Sequence, residues 1–424
     1  MKTIIYWFRN DLRLLDNPGF AQACCDAEYL LPVVIHDPQS VGLTEWGFER
    51  VGRHRQKFLN ESIGDLKRQL QQAKTDLREL HGKPADIFLK LAKRLGDIVV
   101  YCQQIEAPEE KSQLEAIRSS GIAVREFWQS SMLDPADLPF ELDGMPDVFT
   151  AFRQRIEAAK LKYAMPIAAP KQVPHLPSGM CDVALSGPER LNKVALAFEG
   201  GESKAHRHID QYFERRLPDT YKQTRNQLMG KDYSSKFSPW LALGCCSARS
   251  IAHRLEAYEQ QHGANDGTYW LWFELLWRDY FEFLPFKYGA RLFHAQGLSD
   301  KPISPTNLRL FNQWIAGQTP DAFINAGMTE LFETGFLSNR MRQIVASYWI
   351  YDMGGDWRAG AAWFESQLID YDVYSNQGNW LYIAGRGTDP RGGRPFNVAK
   401  QAREHDPNEA YRRRWLDERN SLGT

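Results

Sequence analysis

Cysteine is scarce in this chain, with six in 424 residues: Cys24, Cys25, Cys102, Cys181, Cys245 and Cys246. None forms a CxxC pair or joins histidines at metal-ligand spacing, which argues against a disulfide framework and a Cys/His metal centre; reduced thiols in a cytoplasmic protein are expected. Charge of one sign is lacking as well. The 52 Lys and Arg offset 53 Asp and Glu to a formal net charge of −1, so no global basic field argues for nucleic acid, and any such surface has to be a local patch. No apolar run approaches the ~20 residues of a membrane span. The N-terminus passes almost at once into the run Thr3 to Phe8, without a signal h-region or an Arg/Ser-rich transit peptide, so neither secretion nor a membrane partner is expected. The GxGxxG phosphate fingerprint is missing after that run, which disfavours ordinary dinucleotide binding in the N-terminal half. Internal repeats and low-complexity tracts are absent too.

What the chain has is length and aromatic residues. At 424 residues it exceeds one ordinary core, so two or three domains are expected. A hydrophobic content of 43% with 25% charged residues is that of a globular protein. Aromatics reach 12%, with 13 Trp, more than a core of this size needs, so either a ligand stacks on them or a large helical core is Trp-rich.

The runs 3–8 (TIIYWF), 30–36 (LLPVVIH), 97–102 (DIVVYC) and 122–128 (IAVREFW) read as strands, separated by helical stretches such as Phe48 to Leu80 and Glu109 to Ser119. Their alternation predicts an α/β, Rossmann-like domain over residues 1–130, a parallel sheet covered by helices. The loop RNDLRLLDN, Arg9 to Asn17, follows the first strand and is either a ligand loop or a salt-bridged cap. Residues 131–196, rich in Pro and Ala, read as an interdomain connector. From 197 to 424 helical patterns predominate, over 203–217, 247–262, 268–285, 308–316, 321–333, 338–353 and 357–369, and predict an all-α domain.

The chemistry concentrates in that helical half. The stretch Asp356 to Gly385 holds three Trp, three Tyr and three Asp among amides, a composition that suits the wall of a pocket for a large flat ligand. In TYWLWFELLWRDYFEF, residues 268–283, Trp270, Glu274, Trp277 and Phe281 share one helical stripe. Burial disfavours an ionised Glu274, which must therefore pair with a cation or donate a proton to a ligand; a plain ion pair with an Arg of another helix is the structural alternative. YSSKFSPWLALG, residues 233–244, puts Ser234, Ser235 and Ser238 ahead of a helix, where they either hold an anion such as a diphosphate or simply cap the helix. Tyr221 and Arg225 lie one turn apart in YKQTR. In LSNRMRQ, Asn339, Arg342 and Gln343 fall on one face, the amides suited to base edges and Arg342 to a carboxylate such as Asp370 or Asp372.

Five segments, WFRNDLRLLDN, YKQTR with YSSKFSPWLALG, FELLWRDYF, SNRMRQIVAS and DWRAGAAWFESQLIDYDVYSNQGNWLYIAG, occur in order along nearly the whole chain. Together they closely resemble the photolyase/cryptochrome superfamily, in detail its cryptochrome DASH branch. The resemblance implies an N-terminal antenna domain and a helical domain that holds FAD in a U shape. It implies contacts to the adenine side and diphosphate from Tyr221, Ser234, Ser235, Lys236, Phe237 and Ser238. Arg342 would pair with Asp370, the first aspartate of DYD, whose Tyr371 joins the same wall; Asp372 would face the flavin ring and Asn376 would lie beside flavin N5. An Asn there resembles enzymes that stabilise the reduced flavin, where plant photoreceptors carry Asp and animal ones Cys.

On the substrate side, Glu274, Trp277 and Asn339 match residues that meet a flipped-out cyclobutane pyrimidine dimer, and Arg225 matches a phosphate contact. Gln343 and Tyr382 fit the DASH pattern, where ordinary dimer photolyases tend to have Met and Trp, and that pattern goes with a preference for single-stranded DNA. The (6-4) photolyases place a His near Ser338, so that activity is disfavoured. Trp380 and Trp357 match the inner members of an electron relay, but the outer Trp aligns with Ser304; either photoreduction is impaired or Trp349, Tyr348 or Tyr351 carries the exit step. GQTPDAFIN, residues 317–325, departs from the family's GxTGxP. The implied antenna is 5,10-methenyltetrahydrofolate, with Glu106 and residues 148–157 as candidate contacts. The implied activity is that of a monomeric, light-dependent deoxyribodipyrimidine photo-lyase acting on UV-damaged single strands. Its rivals are a blue-light photoreceptor that signals through flavin redox change without repair, and a flavin-loaded nucleic-acid binder without turnover.

Overall fold

The apolar run that opens the chain forms strand β1 (Thr3–Phe8), and all six of its residues are buried, as a strand covered on both faces requires. It pairs in parallel with β2 (Tyr29–His36) on one side and β4 (Ile98–Gln103) on the other. Outside these lie β3 (Arg78–His81) and β5 (Ala123–Phe127), giving a five-stranded parallel sheet of order β3-β2-β1-β4-β5. The helices around it are α1 (Pro18–Asp26), α2 (Arg53–Gln72), α3 (Pro84–Leu95) and α4 (Pro108–Ser119). A proline opens α1, α3 and α4, where its missing N–H costs nothing. The winding reverses at β1 and β4, and the crevice at their carboxyl ends is where open α/β sheets take ligands. The computed structural model describes residues 3–178, 198–230 and 232–421; Cys181 and the last part of the expected connector, residues 179–196, lie outside the described residues.

The expected helical stretch Phe48 to Leu80 is shorter than its pattern: α2 covers 53–72, and RELH forms β3, a strand of four residues, too brief to show a period of its own. The loop RNDLRLLDN behaves as the cap rather than as a ligand loop over most of its length. Asp11, Arg13, Asp16 and Asn17 are buried. Tyr6 donates to Asp11, Arg13 donates to the carbonyls of Asp16, Gln129 and Gly244, and Asp16 pairs with Arg249 at 2.9 Å. This satisfied polar network joins the sheet to the helical half.

The connector contains α5 (Phe149–Ala158), and the helical half consists of α6 (Glu202–Glu214), α7 (Tyr221–Thr224), α8 (Ser238–Ala242), α9 (Ala248–His262), α10 (Asp266–Tyr288), α11 (Leu308–Ile315), α12 (Ala322–Thr334), α13 (Asn339–Ser347), α14 (Trp357–Gln367), α15 (Val373–Ala384), α16 (Val398–His405) and α17 (Ala410–Ser421). The departing segment GQTPDAFIN is a helix start: Asp321 caps α12 through the N–H groups of Phe323 and Ile324, and Thr319 and Asn325 bond each other. Helix α10 begins with a capping box at Asn265 and Thr268 and runs 23 residues through the centre of this half. Two glycines permit its closest neighbours. A Cβ on Gly378 would stand 2.2 Å from the Phe281 ring, and one on Gly360 would stand 2.2 Å from Trp380, so α15 can press against both α10 and α14.

Candidate functional site

Tyr221, the segment 233–238, α10, α13 and α15 enclose a cavity of about 420 Å³. A narrower space of about 80 Å³ lies against it, and Asn339, Arg342, Gln343, Asp370 and Asp372 line both. The floor is a carboxylate–guanidinium seam. Arg342 Nη2 donates to both oxygens of Asp370, at 3.0 and 2.7 Å, while its Nε donates to the Leu337 carbonyl. Ser238 adds its hydroxyl to Asp370 at 2.6 Å. Asp372 caps α15 by accepting from the Ser375 N–H at 2.7 Å. Asn376 donates to the Ala361 carbonyl at 3.1 Å and lines the narrow space, with buried Trp380 behind.

The segment 233–238 forms one wall of the cavity. Ser234 and Lys236 both adopt left-handed backbone, φ 58° and 53°, two sparsely populated conformations within three residues. Such a turn directs successive N–H groups into a concavity that suits a diphosphate. Of the two alternatives drawn from the sequence for these serines, plain capping is not what they do: α8 has five residues, and no side chain caps it. Lys236 donates to the Gly230 carbonyl at 3.0 Å and lies 4.2 Å from the Tyr233 ring centroid; burial lowers its pKa. Phe237 packs its ring against Tyr212 at 4.9 Å.

Another part of the lining presents an acid, amides and an indole. Glu274 forms an ion pair with Arg225, whose guanidinium lies over the Trp270 ring at 4.7 Å. Burial pushes the Glu274 pKa up and the Arg225 charge pulls it back. Buried Tyr221 lies alongside, its hydroxyl pKa raised by burial and then by the Glu274 charge. Both alternatives drawn from the sequence thus meet in one residue, since Glu274 has its Arg partner and still lines a cavity. Trp277 stacks on Phe149 of α5, with centroids 3.7 Å apart and planes 14° apart, and meets Tyr382 edge-on at 5.8 Å. Tyr382 accepts from Arg394 at 2.6 Å, and Arg394 is held by Asp389.

Sequence reasoning missed Phe149, 128 residues before Trp277, and Arg278. Arg278 lines the cavity and pairs at 2.7 Å with Glu282, which is fully buried and whose pKa burial raises. Charged residues one turn apart on a helix rich in aromatics were the available signal.

Trp357 and Tyr371 stand apart from the segment 233–238. With Asn376 they line a second cavity of about 880 Å³ at the carboxyl ends of β1 and β2, whose other walls include Arg9, His36, Glu109 and Glu110. Arg55 lies over the Tyr371 ring at 4.4 Å. Glu106 and residues 148–157 are not among the residues that line this cavity. Glu106 is engaged by Gln104 and Lys111, and α5 packs on α10 through Phe149. Of the aromatics named from the sequence as exits of an electron path, Trp349 is buried and stacks on Trp314 at 5.4 Å, and Trp314 meets Trp380 edge-on at 6.4 Å. Tyr351 is 39% exposed, and Tyr348 and Ser304 are half-buried.

Residues 4–175 match the family model described as DNA photolyase, and residues 270–424 match the FAD binding domain of DNA photolyase. A cryptochrome DASH of Gloeobacter violaceus is 42% identical over 98% of this chain and 86% of its own length. One of Danio rerio is 42% identical over 98% of this chain and 83% of its own. The crystal structure of a Synechocystis cryptochrome superposes with a TM-score of 0.93 at 40% identity, covering 100% of this chain and 90% of the other. Among the described residues no helix is long and apolar enough to cross a membrane.

Proposed function

The chain belongs to the photolyase/cryptochrome family, in its cryptochrome DASH branch, and from that premise we propose that it is a light-dependent FAD enzyme that repairs cyclobutane pyrimidine dimers, preferentially in single-stranded DNA. The observation that carries this reading is the shared wall: Asn339 and Gln343 line both the larger helical cavity, together with Glu274 and Trp277, and the narrow space over Asp370 and Asp372. FAD fits the donor set. The left-handed turn at Ser234 and Lys236, with Ser235, Phe237, Ser238 and Tyr221, would hold its adenine side and diphosphate. Arg342, Asp370, Tyr371, Asp372 and Asn376 would hold the isoalloxazine. Bound and reduced, FAD supplies the light-driven electron chemistry of ring splitting.

The chain's own residues bind and orient the lesion. Trp277, fixed by Phe149, offers a flat face to an extruded pyrimidine dimer whose stacking the damage has already weakened. Asn339 and Gln343 supply amides for base edges, Glu274 a carboxyl group for a pyrimidine carbonyl or imide, and Arg225 a cation for the backbone phosphate. Gln343 and Tyr382 at the rim support the preference for single strands. Trp380 and Trp357 are the proposed electron carriers inside the protein, and the Trp314–Trp349 stack behind Trp380 supplies the continuation that Ser304 lacks. The cavity of about 880 Å³ at the sheet edge is the proposed site of an antenna such as 5,10-methenyltetrahydrofolate, with Glu109 and Glu110 as its acidic wall. Illumination of reduced, FAD-loaded protein with a dimer-bearing oligothymidylate tests the activity. Dimers disappear in blue light and persist in the dark; unchanged dimers despite bound DNA would leave the photoreceptor reading instead.

A further inference from the structure

Three carboxylates line the larger helical cavity, and they are held unequally. Asp370 is bound by Arg342 and Ser238, and Asp372 caps α15. Glu274 has one partner, Arg225, and that pair is partly exposed, with side-chain accessibilities of 26% and 20%. From α13, Arg340 is near enough to Arg225 that the Arg225 charge, after burial, helps lower its pKa, while the Glu404 carboxylate of α16 pulls it back up. Arg340 donates to the Asn226 side chain at 3.2 Å, and its buried Nε has no hydrogen-bond partner. Arg225 and Arg340 are thus countered by Glu274 and Glu404, and of these groups Arg225 and Glu274 line the cavity that an incoming strand would enter.

We propose that Arg225 is exchanged between Glu274 and a backbone phosphate of the incoming single strand, and that Glu274 takes up a proton as the strand binds. The proposal rests on the reading of this cavity as a DNA site. A phosphate between Arg225 and Arg340 satisfies both guanidiniums and draws Arg225 off Glu274. The bound strand then covers a carboxylate that has lost its cation, a state that is strongly disfavoured and is relieved by protonation. Among the described residues the other arginines that line the cavity are engaged elsewhere, Arg278 of α10 with Glu282, Arg342 of α13 with Asp370 and Arg394 with Asp389, and from α7 the titratable neighbour is the Tyr221 hydroxyl. One ion pair breaks, one forms, and one O–H bond forms on Glu274 with a proton from the buffer; no electrons move. The outcome is a carboxylic acid that can donate to a pyrimidine carbonyl, which the Arg-paired carboxylate cannot do. Proton uptake on binding also fixes the sign of the pH effect. Affinity falls as pH rises between the Glu274 pKa values of the free and bound protein, by up to about tenfold per pH unit for one proton.

The test is calorimetric titration of FAD-loaded protein with dimer-bearing oligothymidylate near pH 7, in buffers of different ionisation enthalpy. The expected result is net uptake approaching one proton per strand. In Glu274→Gln the uptake disappears while binding persists and no longer weakens with pH; Glu274→Ala serves as the second variant. In Arg225→Gln the uptake falls and the slope of log K against log salt drops by about one. Binding of the wild type without proton exchange, or equal uptake by wild type and Glu274→Gln, overturns the exchange and leaves the DNA reading intact. Absence of binding by the wild type overturns both.

Discussion

Two arginine–carboxylate pairs line the same cavity and are built in opposite ways. In Arg342–Asp370 the guanidinium reaches both carboxylate oxygens, a serine hydroxyl adds a third bond, and the Asp370 side chain is 1% exposed. In Arg225–Glu274 a single contact joins two partly exposed side chains, and among the described residues it is the hydrogen bond Glu274 has. A buried pair satisfied on every side gains nothing by rearranging, whereas a half-satisfied pair at a cavity mouth is open to competition from a ligand. The first therefore suits a fixed cofactor wall and the second a surface that changes partners.

The contrast can be broken most forcefully at Asp370. Asp370→Ala leaves Arg342 uncompensated and should cost about 3–5 kcal/mol of stability, with loss of FAD seen as release of flavin absorbance on gel filtration. A variant that keeps both stability and flavin would remove the distinction between the pairs.

Glu330 sharpens the comparison, because it is a buried carboxyl group whose hydrogen-bond partner is Tyr411 of α17 rather than an arginine. Burial pushes its pKa up to about 7 from 4.5. A raised folded-state value means that its contribution is present below the unfolded value and is lost as pH rises through the folded one. Stability should thus fall by about 3 kcal/mol between roughly pH 4.5 and 7. Glu330→Gln should flatten this slope in denaturant titrations, and an unchanged slope would assign it to other groups.

Glu274→Ala is the next step down. Repair should drop on the order of a hundredfold while FAD is retained, since only the group facing the lesion is lost. Loss of FAD would make Glu274 as structural as Asp370. The smallest effect is expected from Trp277→Ala, which should weaken binding of the lesion-bearing strand by about 1–2 kcal/mol through lost stacking, measured by fluorescence anisotropy.

Much of this was legible in the sequence, and what was not has physical causes. The β-branched runs mark β1, β2 and β4, because a strand buried on both faces needs them; β5 is a partly exposed edge strand, marked by Val124 and Phe127 alone. RELH carries no such run, and β3 stayed hidden. Helix α15 was obscured because Asp372, Asn376 and Trp380 serve a cavity, so its apolar residues do not form one clean stripe. The residue types of the site were visible, but their pairing was not. Arg225 and Glu274 are 49 residues apart, and Phe149 reaches Trp277 from the connector. Composition also could not separate a ligand loop from a polar hub in RNDLRLLDN, since both need the same charged side chains; the buried bonds of Asp11, Arg13 and Asp16 settle it as a hub.

The central claim is tested most directly by following one dimer-bearing sequence, as a single strand and in a duplex, under the same blue-light dose with reduced, FAD-loaded protein. The account predicts loss of the dimer at least about tenfold faster in the single strand, an advantage of about 1.4 kcal/mol, and none in the dark. Equal rates would contradict the strand preference, and intact dimers in both forms despite bound DNA would contradict repair itself.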